Sequence, residues 1–392
     1  MEFALTPEQE QFAQEFRDYI KRTMPAEVRE EIDAGRGMHK SEAYKEFICQ
    51  MGRDGWLGIG WPKEYGGQGR TPMEQHIFYE IVAYERISLP LMALNAVGPA
   101  IIRVGSEEMK KEVLPPILRG EVEVAIGYTE PEAGTDLASL KTSAVRDGED
   151  YIINGQKVFT SCADYADYLW IAARTDPDAP KKHHGISVFF IPMDTPGITI
   201  EPMYLLGGER NNATFYDNVR VPKKCLVGEE NMGWKYITTQ LDFERIALNP
   251  SSPLRRNIDD TIQWAKETKI DGTLVIDQPG VKTRLAEHIV DVEVLKMLNF
   301  HLAWLITNGV VPYAEASVVK VFGAELHQRV NHSLLQIMQQ FGQLRRGSQW
   351  APLRGRMEQA LRSDVILTFG GGCSEVQRNI IAMAGLGMPR AQ

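Results

Sequence analysis

The spacing of apolar positions changes character twice along the chain. Residues 1–123 read as helical, residues 124–227 alternate apolar and polar at period two, and residues 228–392 return to the helical period. The pattern predicts an N-terminal α domain, a middle antiparallel β domain and a C-terminal four-helix bundle, in that order. In the first region, Thr6-Pro7-Glu8-Gln9 is a helix-start signal, with Pro at the first turn and Gln three residues after Thr. Further helices are expected over 41–53, 72–86 and 107–118, interrupted by the Gly/Pro-rich passage 55–69. Its Gly58-x-Gly60 follows no strand and is interrupted by Pro62, so it is not a dinucleotide-binding turn.

In the middle region, Asn154-Gly155 lies between two short apolar-rich runs and predicts a hairpin. The segments 185–193, 197–205 and 213–222 read as further strands, with prolines 192, 196 and 202 marking strand ends. Short strands without intervening helices suggest an antiparallel sandwich or barrel. The third region holds long amphipathic segments near 231–248, 254–268, 280–308, 313–342 and 350–367. A final segment begins at Cys373, after Gly370-Gly371-Gly372.

One carboxylate breaks the pattern. Trp234, Ile237, Leu241, Glu244 and Leu248 share one helical face. A carboxylate on that buried stripe loses hydration, which raises its proton affinity and suits general-base chemistry near neutral pH. A structural ion pair with Arg245 or a distant lysine explains the same placement.

Composition narrows the function class. The 392 residues exceed what one core usually organises, and 43% are hydrophobic. A formal charge of −9 argues against a generic nucleic-acid or anionic-membrane binder, although it permits a local basic pocket. Cys49, Cys162, Cys225 and Cys373 are isolated, so a reducing compartment is expected and a zinc site or disulfide framework is not. His183-His184 lies in the polar run PDAPKKHHG and reads as surface loop. The N-terminus lacks a signal-peptide layout, and no apolar run approaches the length of about 20 residues that spans a bilayer. A soluble, cytoplasmic protein is expected.

The run Tyr128-Thr129-Glu130-Pro131-Glu132-Ala133-Gly134-Thr135-Asp136 resembles the flavin loop of the acyl-CoA dehydrogenases, and the resemblance extends over essentially the whole chain. It implies FAD as cofactor, with Ile126, Gly127, Tyr128 and Thr129 at the isoalloxazine. Gly134 would lie at the pyrophosphate, and Thr135 at flavin phosphate or substrate. The run 151–161, YIINGQKVFTS, is similar to the family's NGxKxWIT segment. Phe159 stands for the usual Trp and Ser161 for the usual Thr, which keeps an aromatic face and a hydroxyl at the cofactor.

Many members carry the base in a YEGT-type motif before QxQR. Gln377-Arg378 anchors that register here and places Gly371 where the glutamate would be. A minority, the isovaleryl and long-chain enzymes, carry it on the first bundle helix, and Asp242-Phe243-Glu244-Arg245 matches that site. The resemblance therefore implies Glu244 as catalytic base, with Asp242 and Arg245 organising the CoA chain. The implied reaction is α,β-dehydrogenation of an acyl-CoA, with electron-transfer flavoprotein as acceptor.

Two segments depart from the family. The stretch 269–274 lacks the arginine that a neighbouring subunit gives to the flavin pyrophosphate, and Gln339-Gln340-Phe341-Gly342 is bulkier than the Gly-rich turn at the adenosine. The departures imply that a related but different subunit supplies those groups, as in actinobacterial heteromeric dehydrogenases of cholesterol side-chain degradation, with an α2β2 arrangement. The chain resembles their catalytic subunit, and its three glycines suit a bulky steroid CoA ester. A homomeric dehydrogenase for a branched or long acyl chain, a non-catalytic scaffold subunit and an oxygen-using relative are the competing readings.

Overall fold

Thr6 opens the first helix as its sequence requires. Its Oγ1 accepts the Gln9 N–H at 3.3 Å, the Gln9 side chain accepts the Thr6 N–H at 3.0 Å, and Pro7 occupies the first turn. The computed structural model describes residues 4–35, 40–244 and 250–389, with backbone alone at 239 and 241–244.

The N-terminal part comprises α1 (Pro7–Thr23), α2 (Ala26–Ala34), α3 (Glu42–Arg53), α4 (Pro72–Tyr84), α5 (Gly98–Val104) and α6 (Glu107–Leu118). Ser41, Thr71 and Ser106 cap α3, α4 and α6 through their side-chain oxygens. The apolar faces meet in an aromatic cluster in which the Phe16 ring lies 4.6 Å from both Trp56 and Phe78. The 55–69 passage folds into two short 3₁₀ turns between α3 and α4.

The middle part contains β1 (Val124–Gly127), β2 (Ser143–Asp147), β3 (Asp150–Lys157), β4 (Tyr168–Arg174), β5 (Ile186–Pro192), β6 (Ile198–Tyr204) and β7 (Arg210–Pro222). They form one sheet in the order β1-β4-β2-β3-β7-β6, with β5 added on β4. Neighbours that are successive in the chain (β2–β3, β4–β5, β6–β7) pair antiparallel. β4 instead runs parallel to β1 and briefly to β2, because the intervening chain is long enough to return to the same end. The sheet is therefore mixed at that point.

Two local expectations are corrected. Asn154-Gly155 is no hairpin turn: β3 runs through it, and the register on β7 slips between Ile153 and Gly155, a bulge. The β2–β3 turn lies earlier, at Gly148 with φ +64°. Pro202 lies inside β6 opposite Asn212, which is tolerated because β6 is an edge strand.

Gly155 is required by close approach. It has φ +146°, and a Cβ there would lie 2.6 Å from Thr142 Oγ1 and 2.7 Å from Thr142 Cα. Gly155→Ala is expected to destabilise the protein by about 2–3 kcal/mol. Thermal unfolding checks this, and an unchanged transition would contradict the packing described.

The C-terminal part comprises α7 (Gly233–Glu244), α8 (Ser252–Glu267), a small hairpin of β8 (Lys269–Ile270) and β9 (Thr273–Leu274), α9 (Val281–Thr307), α10 (Tyr313–Ile337), α11 (Arg356–Ser363) and α12 (Ser374–Ile380). The expected helix over 313–342 stops at Ile337 and passes into a 3₁₀ turn, with Gln339 left-handed at φ +53°. The one over 350–367 is broken by left-handed Leu353 and Arg354, leaving α11 between 3₁₀ turns. The hairpin escaped the pattern analysis although Asp271-Gly272 is its two-residue turn, both residues at positive φ. The core of this part is built on α8, α9 and α10. Among the described residues, no helix is long and apolar enough to cross a membrane.

Candidate active site

The chain leaves β1 at Gly127 and is held at successive residues. The Tyr128 carbonyl accepts from Lys157 Nζ at 3.1 Å, and the Thr129 carbonyl accepts from the Val158 N–H at 2.8 Å. Glu130 and Ala133 exchange backbone hydrogen bonds of 3.1 Å, which close the turn through Pro131-Glu132. Segments 126–129 and 157–161, about 30 residues apart, thus lie side by side.

The Tyr128 side chain reaches further. Its Oη accepts from Trp170 Nε1 at 2.7 Å and donates to Gln240 Oε1. Trp170 is fully buried on β4, in register with Ile126. Gln240 lies on α7, so one tyrosine links the sheet to the helix that ends at Glu244. Gln240 is 1% exposed, and its Nε2 has no partner among the described residues.

Beneath this loop is a buried ion pair. Lys157 is 0% exposed, Glu130 is 6% exposed, and Nζ lies 2.8 Å from Oε1. The Glu130 carboxylate also accepts the backbone N–H groups of Lys141 at 2.6 Å and Thr142 at 2.9 Å. Burial raises the Glu130 pKa, but the Lys157 charge and these hydrogen bonds outweigh it and hold the carboxyl below its ordinary value. Burial pulls the Lys157 ammonium down to about 8, against the opposing pull of Glu130.

Beyond β3 the surface is prepared differently. Phe159 is left-handed at φ +57° and 50% exposed, an unusual conformation for a bulky side chain. The following Thr160 points inward, its Oγ1 3.1 Å from Thr214 Oγ1, which is 2.8 Å from Tyr216 Oη. Ser161 is exposed and its Oγ accepts from Asn211 Nδ2 at 3.0 Å. Gly134 and Thr135 are exposed on the neighbouring loop, where a Cβ on Gly134 would meet only Thr129 Cγ2 at 4.0 Å. A half-bare aromatic, exposed hydroxyls, an open glycine cradle and an orphaned amide nitrogen together suit a large cofactor with a planar, polar-edged ring.

The lysine-rich loop read as surface is tied to this site. Lys182 Nζ pairs with both oxygens of Asp136 at 2.6 and 2.7 Å, and the His183 ring lies 5.8 Å from Trp234 at the start of α7. Sequence reasoning missed Glu130, Lys157, Trp170 and Gln240 as site-building residues. A lysine at the inward period of β3, after Tyr151 and Ile153, was the available signal for one of them.

The base region is described in part. α7 packs on α5 and β5, with Ile237 buried, and its backbone runs to Glu244. The side chains of Asp242 and Glu244, and the whole of Arg245, lie outside the described residues. At the other base position, Gly371 has φ +67°, and a Cβ there would meet nothing within 4 Å. Lys320 donates to the carbonyls of Leu367 and Gly370, the latter at 2.8 Å, and so pins that turn.

Comparison with known proteins adds an independent line. Residues 6–121, 125–219 and 231–386 match the family models described as acyl-CoA dehydrogenase N-terminal, middle and C-terminal domains. The chain is 45% identical to acyl-CoA dehydrogenase FadE26 of Mycobacterium tuberculosis, with 100% of both chains covered. Among solved structures it resembles a chain of the ChsE4–ChsE5 complex from Mycobacterium tuberculosis, with a TM-score of 0.91, 45% identity and 100% of both chains covered. It also resembles a chain of the Tcur3481–Tcur3483 steroid ACAD, with a TM-score of 0.92, 42% identity and 100% of both chains covered.

Proposed function

This chain belongs to the acyl-CoA dehydrogenase family of oxidoreductases, and from that premise we propose that it is the base-bearing subunit of an FAD-dependent heteromer acting on a bulky CoA thioester of the steroid side-chain class. The carrying observation is the Thr129–Val158 hydrogen bond, which puts the two cofactor-type segments side by side next to α7, the helix that ends at Glu244. The absence of a carboxylate at Gly371 supports the same assignment. FAD, when bound, supplies the acceptor for the hydride leaving the substrate β carbon.

The chain's residues do the rest. Phe159, Tyr128 and the backbone at Ile126, Gly127 and Thr129 pack and orient the ring. Gly134 and Thr135 face the phosphate end of cofactor or substrate, and the Ser161 hydroxyl lies on the ring side. Glu244 takes the α proton, while Asp242 and Arg245 steer the CoA chain. Electrons pass on to an electron-transfer flavoprotein in the cytoplasm. The steroid class rests on the likeness to a protein named a steroid ACAD, and the heteromer on the likeness to a two-component complex. The segments at 269–274 and 339–342 lack a pyrophosphate arginine and a Gly-rich turn, which supports a different, related subunit in an α2β2 assembly.

The test is the flavin-to-protein ratio of this chain purified alone and co-expressed with a related acyl-CoA dehydrogenase chain from the same source. Little flavin alone and about one per pair of chains together is the expected result. Full occupancy alone, with activity on an acyl-CoA, would make this an ordinary homo-oligomer.

A further inference from the structure

We infer that Lys157 is a positioning residue, whose buried ammonium turns the Tyr128–Thr129 peptide so that its N–H faces the cofactor side and supports negative charge on the reduced flavin. The inference rests on the flavin site proposed above. Its starting point is a lysine with no solvent access at all, beneath a loop whose other face carries the exposed residues of that site. Nζ contacts the Tyr128 carbonyl oxygen at 3.1 Å and Glu130 Oε1 at 2.8 Å.

Geometry sets the direction. No peptide bond among the described residues is cis, and a trans peptide points its C=O and N–H in opposite directions. With the Tyr128 carbonyl drawn toward Lys157, the Thr129 N–H points away from it. The Val158 N–H holds the Thr129 carbonyl, so the next peptide is fixed as well. A cation behind the carbonyl polarises the peptide and strengthens its N–H as a donor, most of all where water is excluded. Such a donor acts more strongly on an anionic acceptor than on a neutral one.

Stability alone does not account for the pair. A buried ion pair is often no more stabilising than apolar residues of the same volume. Here the cation is placed against one carbonyl, while Glu130 is anchored separately by the N–H groups of Lys141 and Thr142. Glu130 therefore keeps Lys157 charged and in place without competing for the Tyr128 carbonyl.

The experiment compares Lys157→Met, Lys157→Arg and the double variant Lys157→Met/Glu130→Gln in the co-purified complex. Flavin content and the midpoint potential of the bound flavin are read alongside the parent. Lys157→Met is expected to shift the potential to more negative values and to weaken flavin retention about tenfold. Lys157→Arg, which keeps the cation, is expected to recover most of the potential. The double variant leaves no unpaired buried charge, so it keeps the test open if the single variant does not fold, and the same negative shift is expected. An unchanged potential in either folded Met variant overturns the inference. A parent complex that holds no flavin would instead overturn the proposed function, so the two failures are distinct.

Discussion

Replacing Glu244 with glutamine is expected to slow substrate-dependent flavin reduction by about 10²–10⁴-fold while leaving flavin content and unfolding temperature unchanged. Glutamine keeps the shape of the side chain and cannot accept the α proton at neutral pH. No substitute is available at the alternative position, because Gly371 has no side chain and its turn is pinned by Lys320. Anaerobic stopped-flow reduction by an acyl-CoA, monitored at the flavin absorbance, measures the effect. A rate within threefold of the parent would remove Glu244 as the base. Loss of flavin together with activity would recast it as a structural residue, the ion-pair alternative that its helical face allows.

The second large effect concerns the joint between the N-terminal helices and the bundle. Asp260 on α8 accepts from Arg86 at 2.8 Å, from Arg256 at 3.1 Å and from Arg356. Arg86 follows α4 and Arg356 opens α11, so one carboxylate joins three segments. Burial, with the charges of Arg86 and Arg256, pulls the Arg356 pKa down to about 10. Asp260→Asn would leave three guanidinium groups facing one another. The cost of stranding a fully buried charge is about 3–5 kcal/mol, and exposed pairs are worth less than about 1 kcal/mol. With Asp260 21% exposed, a loss of about 2 kcal/mol is expected, lowering the unfolding temperature by roughly 2 °C. Added salt should recover part of it by screening the repulsion. A change below 1 °C at low salt would show that these arginines do not depend on Asp260.

Local signals carried much of the reading. The capping box at Thr6 and the switch from helical to strand period depend on residues three or four apart, or two apart, and were legible as such. The two motifs that carry the family resemblance are each continuous in the chain, so Tyr128, Thr129, Phe159 and Ser161 could be named before any contact was known. The turn dipeptides show where locality stops. Asn154-Gly155 and Asp271-Gly272 carry the same hairpin signal, yet only the second is a turn. At the first, β7 lies alongside and Thr142 crowds Gly155, so the chain runs on as a bulged strand.

The sequence by itself determined the order of the three parts, the family, and the candidate residues that lie within single motifs. Only the tertiary structure decided what stands behind them: Lys157 under the Tyr128 carbonyl, Trp170 and Gln240 on the Tyr128 hydroxyl, and Lys182 on Asp136. Those contacts join residues 29 to 112 positions apart. Periodicity places a side chain on a face of its own element. Which atom it meets there depends on strand register, bulges and helix docking, all set by packing across the whole chain.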